Sequence, residues 1–169
     1  MEKLQDLNAW YIRESADDIL AMDLIPFLEH SGLKNLNKEK VKDAVATLKI
    51  RSKTLVDMAE SARFYFEKGI IYDEKADNKF LKSDVLELLV NLQARLEQTS
   101  VFDQEGLEKT FVAFLEANQI KLKKVAQPLR VALTGKTASP GIFEVMEVLG
   151  KESVLERLGK AVTHIRAKA

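Results

Sequence analysis

The sequence predicts an all-α fold, and three observations carry that prediction. Apolar residues recur at intervals of three and four along most of the chain. Long period-two alternation, the mark of a half-buried strand, is missing. Three prolines and seven glycines in 169 residues leave few places where a helix must break.

Taken in order, Leu4, Leu7, Trp10 and Tyr11 fall at helical spacing and open the chain with an apolar face. Ser15 followed by Asp18 reads as a cap. It starts a helix through Ile19, Leu20, Leu24 and Phe27 that stops at Gly32, with Pro26 marking a kink or a boundary. Asn37 is placed to cap a helix carrying Val41, Ala44, Val45 and Leu48 on one face. Thr54 caps the next, with Leu55, Met58, Ala59, Ala62 and Tyr65 inward and an end at Gly69–Ile71. A short helix follows near Glu74–Leu81. Ser83 is then expected to cap a long one bearing Val85, Leu88, Leu89, Leu92 and Leu96.

The Gln98–Asp103 stretch reads as a connection, which divides the chain into 1–98 and 99–169. Beyond it, Leu107, Phe111, Phe114 and Leu115 define one helix, and another spans about Lys124–Leu133 before Gly135. Ser139 and Pro140 look like N-cap and first helical residue of a helix with Ile142, Phe143, Val145, Met146 and Val148, ending at Gly150. Val154, Leu155, Leu158, Val162 and Ile165 mark the last helix, for about eight to ten in all. No repeat, low-complexity segment or sustained heptad pattern is visible.

A chain of this length buries roughly 70% of its unfolded surface. With 46% hydrophobic and 31% charged residues it can form a core and keep a polar surface. There is no cysteine, which excludes disulfides and thiolate metal sites. With no signal peptide and no apolar run near ~18 residues, the expectation is a cytoplasmic protein without a membrane span.

The formal charge is zero, from 26 basic and 26 acidic residues, unlike most nucleic-acid binders. The distribution is uneven. From Ala117 to Phe143 there are five basic residues, Lys121, Lys123, Lys124, Arg130 and Lys136, and no acid. A second acid-free stretch holds Lys49, Arg51 and Lys53. Local fields steer a polyanion even when the total is neutral, whereas the plainer reading of each run is a solvated face.

Enzyme signatures are lacking: there is no GxGxxG, P-loop or GxSxG pattern. His30 and His164 are far apart, without a paired acid or metal-ligand spacing, and read as surface or helix-end residues. Asp17 and Asp18 point in different directions and suit the first turn of a helix. No catalytic residue and no metal site is expected.

The informative stretch is Lys121–Gly150, KLKKVAQPLRVALTGKTASPGIFEVMEVLG. It combines a basic helix, a loop of small residues and a helix starting at Ser139-Pro140-Gly141. The first amides of a helix lack internal partners and carry partial positive charge, which suits a phosphate or a base-edge acceptor. Arg130 projects from the preceding helix, and its planar fork matches a base edge. An unpaired RNA loop exposes such edges. A helical hairpin in which Ser-Pro is a cap and nothing more fits the same spacing.

The runs Val125-Ala126-Gln127-Pro128-Leu129-Arg130, Ala132-Leu133-Thr134-Gly135, Ser139-Pro140-Gly141-Ile142-Phe143-Glu144 and Leu149-Gly150-Lys151-Glu152 resemble, in order and in gaps, the C-terminal signature of bacterial glutamyl-tRNA synthetases. Lys3-Leu4, Leu7-Asn8 and Tyr11-Ile12-Arg13 resemble the segment that opens the anticodon-binding region of that family. The Leu48–Phe66 stretch, with Thr54-Leu55 and Ala62-Arg63, is similar as well. The resemblance covers essentially the whole chain.

It implies an all-helical, cage-like anticodon-binding region in two subdomains. The implied partners are the anticodon loop of tRNA-Glu and the catalytic half of the same synthetase, and the implied state is a monomer. By the same resemblance, Arg130 matches the arginine at the first anticodon base. Ser139 and Pro140 match the helix start near the middle base, with Ile142 beside it. The family usually has threonine where Ser139 stands, so the hydroxyl is kept and the methyl lost. Arg51 matches the position where an arginine selects the third base and separates glutamate from glutamine tRNA.

Lys49, Lys53, Lys121, Lys123, Lys124 and Lys136 are candidates for RNA backbone contacts. The HIGH and KMSKS signatures of the catalytic half are missing from this sequence, so ATP and Mg are expected to belong to that half, and this chain is not expected to charge tRNA by itself. Met1 is expected to mark a cut within a longer chain. The alternatives are a helical protein-interaction module of the same fold without RNA binding, and a stand-alone enzyme.

Overall fold

The computed structural model describes the backbone of residues 2–168 and the side chains of residues 5–168. Leu4 and Lys3, assigned above to the opening apolar face and motif, have side chains outside the described residues. Among the described residues the chain forms ten α-helices and a 3₁₀ turn, with no strand. The all-α expectation is met. No described helix is long and apolar enough to cross a membrane.

The helices cluster into two compact units, Met1–Lys68 and Gly69–Ala169. The expected functional partition at 98/99 is a different division. The helix before that point and the final helix pack together inside the second unit.

The first unit holds α1 (Glu2–Glu14), α2 (Asp17–His30), α3 (Lys38–Leu48) and α4 (Leu55–Phe66). Its core is the α2–α3–α4 bundle, built on Leu20, Leu24, Leu28, Val41, Val45, Leu48, Met58 and Tyr65. Local rules set α3 and α4. Lys40 N–H donates to Asn37 Oδ1 at 3.1 Å, and Asp57 N–H donates to Thr54 Oγ1 at 3.0 Å. Each bond satisfies an orphan donor of the first turn.

The start of α2 differs from expectation. Ser15 donates its hydroxyl back to Tyr11 O at 2.7 Å and so closes α1, and Ala16 precedes α2 without a side-chain cap. Asp17 and Asp18 offset this by facing the helix dipole, and they pair with Lys49 at 2.7 Å and Lys42 at 2.8 Å. Pro26 does not end the helix, which runs on to His30.

The apolar face expected of α1 turns outward: Leu7, Trp10 and Tyr11 are at least half exposed. Among the side chains described in α1, that of Ile12 enters the core, while Asn8 Nδ2 donates to Lys53 O at 3.0 Å on the polar side.

The second unit holds α5 (Glu74–Phe80), α6 (Leu86–Glu97), α7 (Gln104–Ala117), α8 (Leu122–Thr134), α9 (Ile142–Leu149) and α10 (Lys151–Lys168). Ser83 opens the 3₁₀ turn Ser83–Val85 and does not cap α6 directly. The stripe Leu89, Leu92 and Leu96 of α6 faces Val154, Leu158, Ala161, Val162 and Ile165 of α10, and α8 packs on both helices.

His164 was expected to lack an acid partner, but it has one 87 residues away. Its Nε2 lies 2.9 Å from Asp77 Oδ1, and Lys168 Nζ donates to the same oxygen at 2.8 Å. Tyr72 lies against the His164 ring, with centroids 4.9 Å apart. Burial and the charge of Asp77 push the Tyr72 hydroxyl above its ordinary range. Burial also opposes the charged form of Asp77, but the bonds from Lys168 and His164 outweigh it and hold the carboxyl below 3.8.

Two predictions follow from this packing. Leu89→Ala opens a cavity between α6 and α10 and should cost about 2–5 kcal/mol in chemical denaturation. Asp77 binds its proton less readily folded than unfolded, so its stabilisation is present above about pH 4 and is lost as pH falls through the depressed value. Asp77→Asn should therefore lower stability near neutral pH by on the order of 1 kcal/mol. The deficit relative to the parent should shrink in denaturation curves taken below pH 3.8, and a constant deficit down to pH 2 would remove the carboxylate from the account.

Candidate nucleic-acid interface

The candidate site of the second unit is built on the end of α8 and the loop to α9. α8 is amphipathic: Val125, Pro128, Leu129, Ala132 and Leu133 are buried, while Lys121, Lys123 and Lys124 are exposed at its start. Three cations beside the positive end of a helix dipole do not stabilise the helix. They raise the local potential without an acid in the first turn to offset it.

The far end of α8 is fastened by four devices. Arg157 of α10, nearly fully buried, donates from Nη1 to Leu133 O at 2.7 Å. Thr134 Oγ1 donates to Arg130 O at 2.8 Å and accepts from Lys136 N–H at 3.2 Å. Gly135 adopts φ +76°, in the left-handed region that ends helices. Asp73 N–H donates to Gly135 O at 2.9 Å, and a Cβ on Gly135 would lie 2.3 Å from Ile71 O. Gly135 is the helix stop that its place in the sequence predicts. Thr134 stands inside the Ala-Leu-Thr-Gly run, whereas nothing local marks Arg157.

From Lys136 to Gly141 the chain has no helix or strand. Side chains shape it instead. The two N–H groups of Arg130 Nη1 are shared among Ser139 O at 3.1 Å, Pro140 O at 2.8 Å and the Ser139 hydroxyl. Ser139 donates its own proton to Pro140 O at 2.9 Å. Arg130 and Ser139 are half-buried, Pro140 is buried, and Lys136 is exposed.

The start of α9 is displaced by two residues from expectation. Gly141 is the N-cap and Ile142 the first helical residue, because the Ser139 side chain is engaged with Arg130 and Pro140 and not with the helix amides. The sequence predicts that the first-turn amides can donate to a phosphate or to a base-edge acceptor. Here Gly141 N–H donates to Glu144 Oε2 at 2.7 Å, so a carboxylate of the protein already occupies that end. Ile142 is buried with 7% of its surface accessible. Phe143 is half-buried with its ring edge on Phe111, centroids 5.0 Å apart.

The structure thus brings Arg130, Ser139, Pro140 and Ile142 together. Arg51, Lys49 and Lys53 belong to the first unit, on the turn after α3. Arg51 N–H donates to Leu48 O at 2.9 Å, which places the residue past the helix, and its side chain is exposed. Lys53 is exposed, whereas Lys49 is held by Asp17 and its charge is locally neutralised. No group of His, Asp and Glu among the described residues has the arrangement of a metal site.

The fastening of α8 makes Gly135→Ala costly twice over, through positive φ and through the missing space beside Ile71 O. The variant should lose roughly 2 kcal/mol or more in urea denaturation. Faster exchange of the Asp73 amide should accompany the loss, and unchanged stability would show that the 69–73 segment yields freely.

Comparison with known proteins adds an independent line. A family described as an anticodon binding domain matches residues 19–162. The glutamate–tRNA ligase of Syntrophobacter fumaroxidans is 45% identical over 168 residues, which cover 99% of this chain and 36% of that protein. The glutamate–tRNA ligase of Geobacter sulfurreducens is 42% identical over 164 residues, 97% of this chain and 35% of that protein. The chain therefore spans about a third of the length of the curated relatives it matches. Crystal structures of glutamate–tRNA ligases from Elizabethkingia meningosepticum and Elizabethkingia anophelis superpose with TM-scores of 0.88 and 0.80, both at 24% identity. They cover 97% and 96% of this chain and 32% and 31% of theirs, and at that identity they bear on the fold.

Proposed function

This chain belongs to the anticodon binding domain family, and from that premise we propose that it reads the anticodon loop of tRNA-Glu as one part of a glutamate–tRNA ligase. The observation that carries the reading is the Arg130-held turn at Ser139–Pro140. It places a half-buried arginine and serine beside the acid-free Ala117–Phe143 segment. A fork of donors and a hydroxyl match the edges of splayed bases.

In this reading Arg130 stands at the first anticodon base and Ser139 and Pro140 at the middle one. Ile142 anchors the turn from beneath, since most of its surface is buried. Arg51, exposed on the turn after α3, selects the third base. The exposed Lys53, Lys121, Lys123, Lys124 and Lys136 approach the RNA backbone. Lys49 joins them if it leaves Asp17. The ligase reaction itself, with its ATP and Mg, belongs to a catalytic half, and the setting proposed is a cytoplasmic monomer. The family match favours this reader over a helical interaction module that does not bind RNA.

A titration with two RNA hairpins at low salt tests the proposal. One carries the glutamate anticodon loop, and the other carries the same loop with its third base changed to that of glutamine tRNA. Tighter binding to the first is expected, and no binding to either would sink the reading for this chain. Arg51→Gln should narrow the difference by about 1–3 kcal/mol, the range for one bidentate base contact. An undiminished preference would take Arg51 out of the selectivity account.

A further inference from the structure

Opposite charges grip the peptide unit between Pro140 and Gly141 from its two sides. Its carbonyl oxygen accepts from Arg130 Nη1 at 2.8 Å and from the Ser139 hydroxyl at 2.9 Å. Its N–H donates to Glu144 Oε2 at 2.7 Å. A guanidinium therefore marks one side of the turn and a carboxylate the other. Glu144 is the first acid after the acid-free run from Ala117 to Phe143, and both Gly141 and Glu144 are half-buried. Among the described residues no lysine or arginine forms an ion pair with it, whereas Asp17 has Lys49 and Glu67 has Arg63. A Cβ at Gly141 would lie 2.7 Å from Glu144 Oε2, so the carboxylate fills the space that a side chain there would take.

Capping by itself does not call for a charge at position 144. A glutamine accepts the same hydrogen bond from the same N–H. The charge matters to an RNA ligand. Phosphate contacts bring affinity but carry no sequence information. The exposed Lys121, Lys123, Lys124 and Lys136 attract phosphate whatever the bases are. Bare amides at the head of α9 would add to that attraction. The Glu144 carboxylate reverses the sign of the field at this one place.

We propose that Glu144 is a specificity-determining residue of the turn, which rejects RNA phosphate on the Gly141 side while the neutral edge of an unpaired base meets no such repulsion. The inference rests on the anticodon reading proposed above and adds to it an element that acts against the wrong ligand. A loop that turns its backbone toward α9 brings phosphate against an unpaired carboxylate. A loop with its bases splayed toward the turn does not.

The test compares this chain with Glu144→Gln, which keeps an acceptor for Gly141 N–H and removes the charge. Each is titrated over a series of salt concentrations with two RNA hairpins, one carrying the glutamate anticodon loop and one a scrambled loop. Glu144→Gln should bind the scrambled hairpin about three- to tenfold tighter than the parent chain does, the range for one charge at a partly buried helix end. The slope of log affinity against log salt should steepen by about 0.7, the value for one further phosphate on a single strand. The glutamate hairpin should gain less, so the preference for it narrows.

An equal gain on both hairpins, or no gain on either, would overturn the assignment of specificity to Glu144. A gain with an unchanged salt slope would overturn the phosphate account, because it would come from the new side-chain amide and not from a lost repulsion.

Should the parent chain bind neither hairpin, the anticodon reading fails, and inorganic phosphate then decides the role of Glu144 without RNA. Added phosphate should shift the Gly141 and Ile142 amide resonances of Glu144→Gln and leave those of the parent chain in place. Resonances that move alike in both proteins, or in neither, would overturn the rejection of phosphate by Glu144.

Discussion

The C-terminal end of α8 must be satisfied inside the protein, and the rest of the second unit depends on how that is done. A helix leaves its last carbonyls without internal partners. Arg157 takes Leu133 O, Gly135 turns into the left-handed region, and Asp73 takes Gly135 O. A buried arginine is expensive unless its donors are met, so Arg157 and the helix end stabilise each other. With the end fixed, Arg130 lies one turn back on a rigid helix and can hold the Ser139–Pro140 turn at a set distance. The loop borrows its order from α8 and α10 and has little of its own.

Electrostatics follow the same division between fixed and available groups. The lysines at the start of α8 and Lys136 after its end are exposed, and no acid lies between Ala117 and Phe143. The positive field along α8 is therefore weakly offset within its own segment. Elsewhere cations are matched locally, as Lys49 with Asp17, Lys42 with Asp18 and Arg63 with Glu67. Glu144 limits the field at the head of α9 by accepting from Gly141 N–H. A ligand there meets a turn shaped by arginine and serine and not a bare row of amides.

Much of the fold was legible in the sequence because its signals are local. Asn37 and Thr54 cap their helices through amides three residues on. The stripes Val41–Leu48 and Leu89–Leu96 bury the side chains that periodicity placed inward. The motif residues Arg130, Ser139 and Pro140 were legible as a set, being nine or ten positions apart across one short loop.

The tertiary structure decided what sequence distance hides. Asp77 and His164 meet across 87 residues. Arg157 finds a carbonyl 24 positions away. The compact units divide at Lys68/Gly69 because α6 buries its leucine stripe on α10, a pairing that no local pattern announces. Periodicity shows that a helix has an apolar face but not whether a partner covers it, so Leu7, Trp10 and Tyr11 could be read as a stripe and still lie exposed. Caps and stripes depend on spacings of three and four, which the chain fixes by itself. Which faces meet, and which polar groups are then buried together, is settled when distant segments compete for the same apolar surface and the same hydrogen-bond partners.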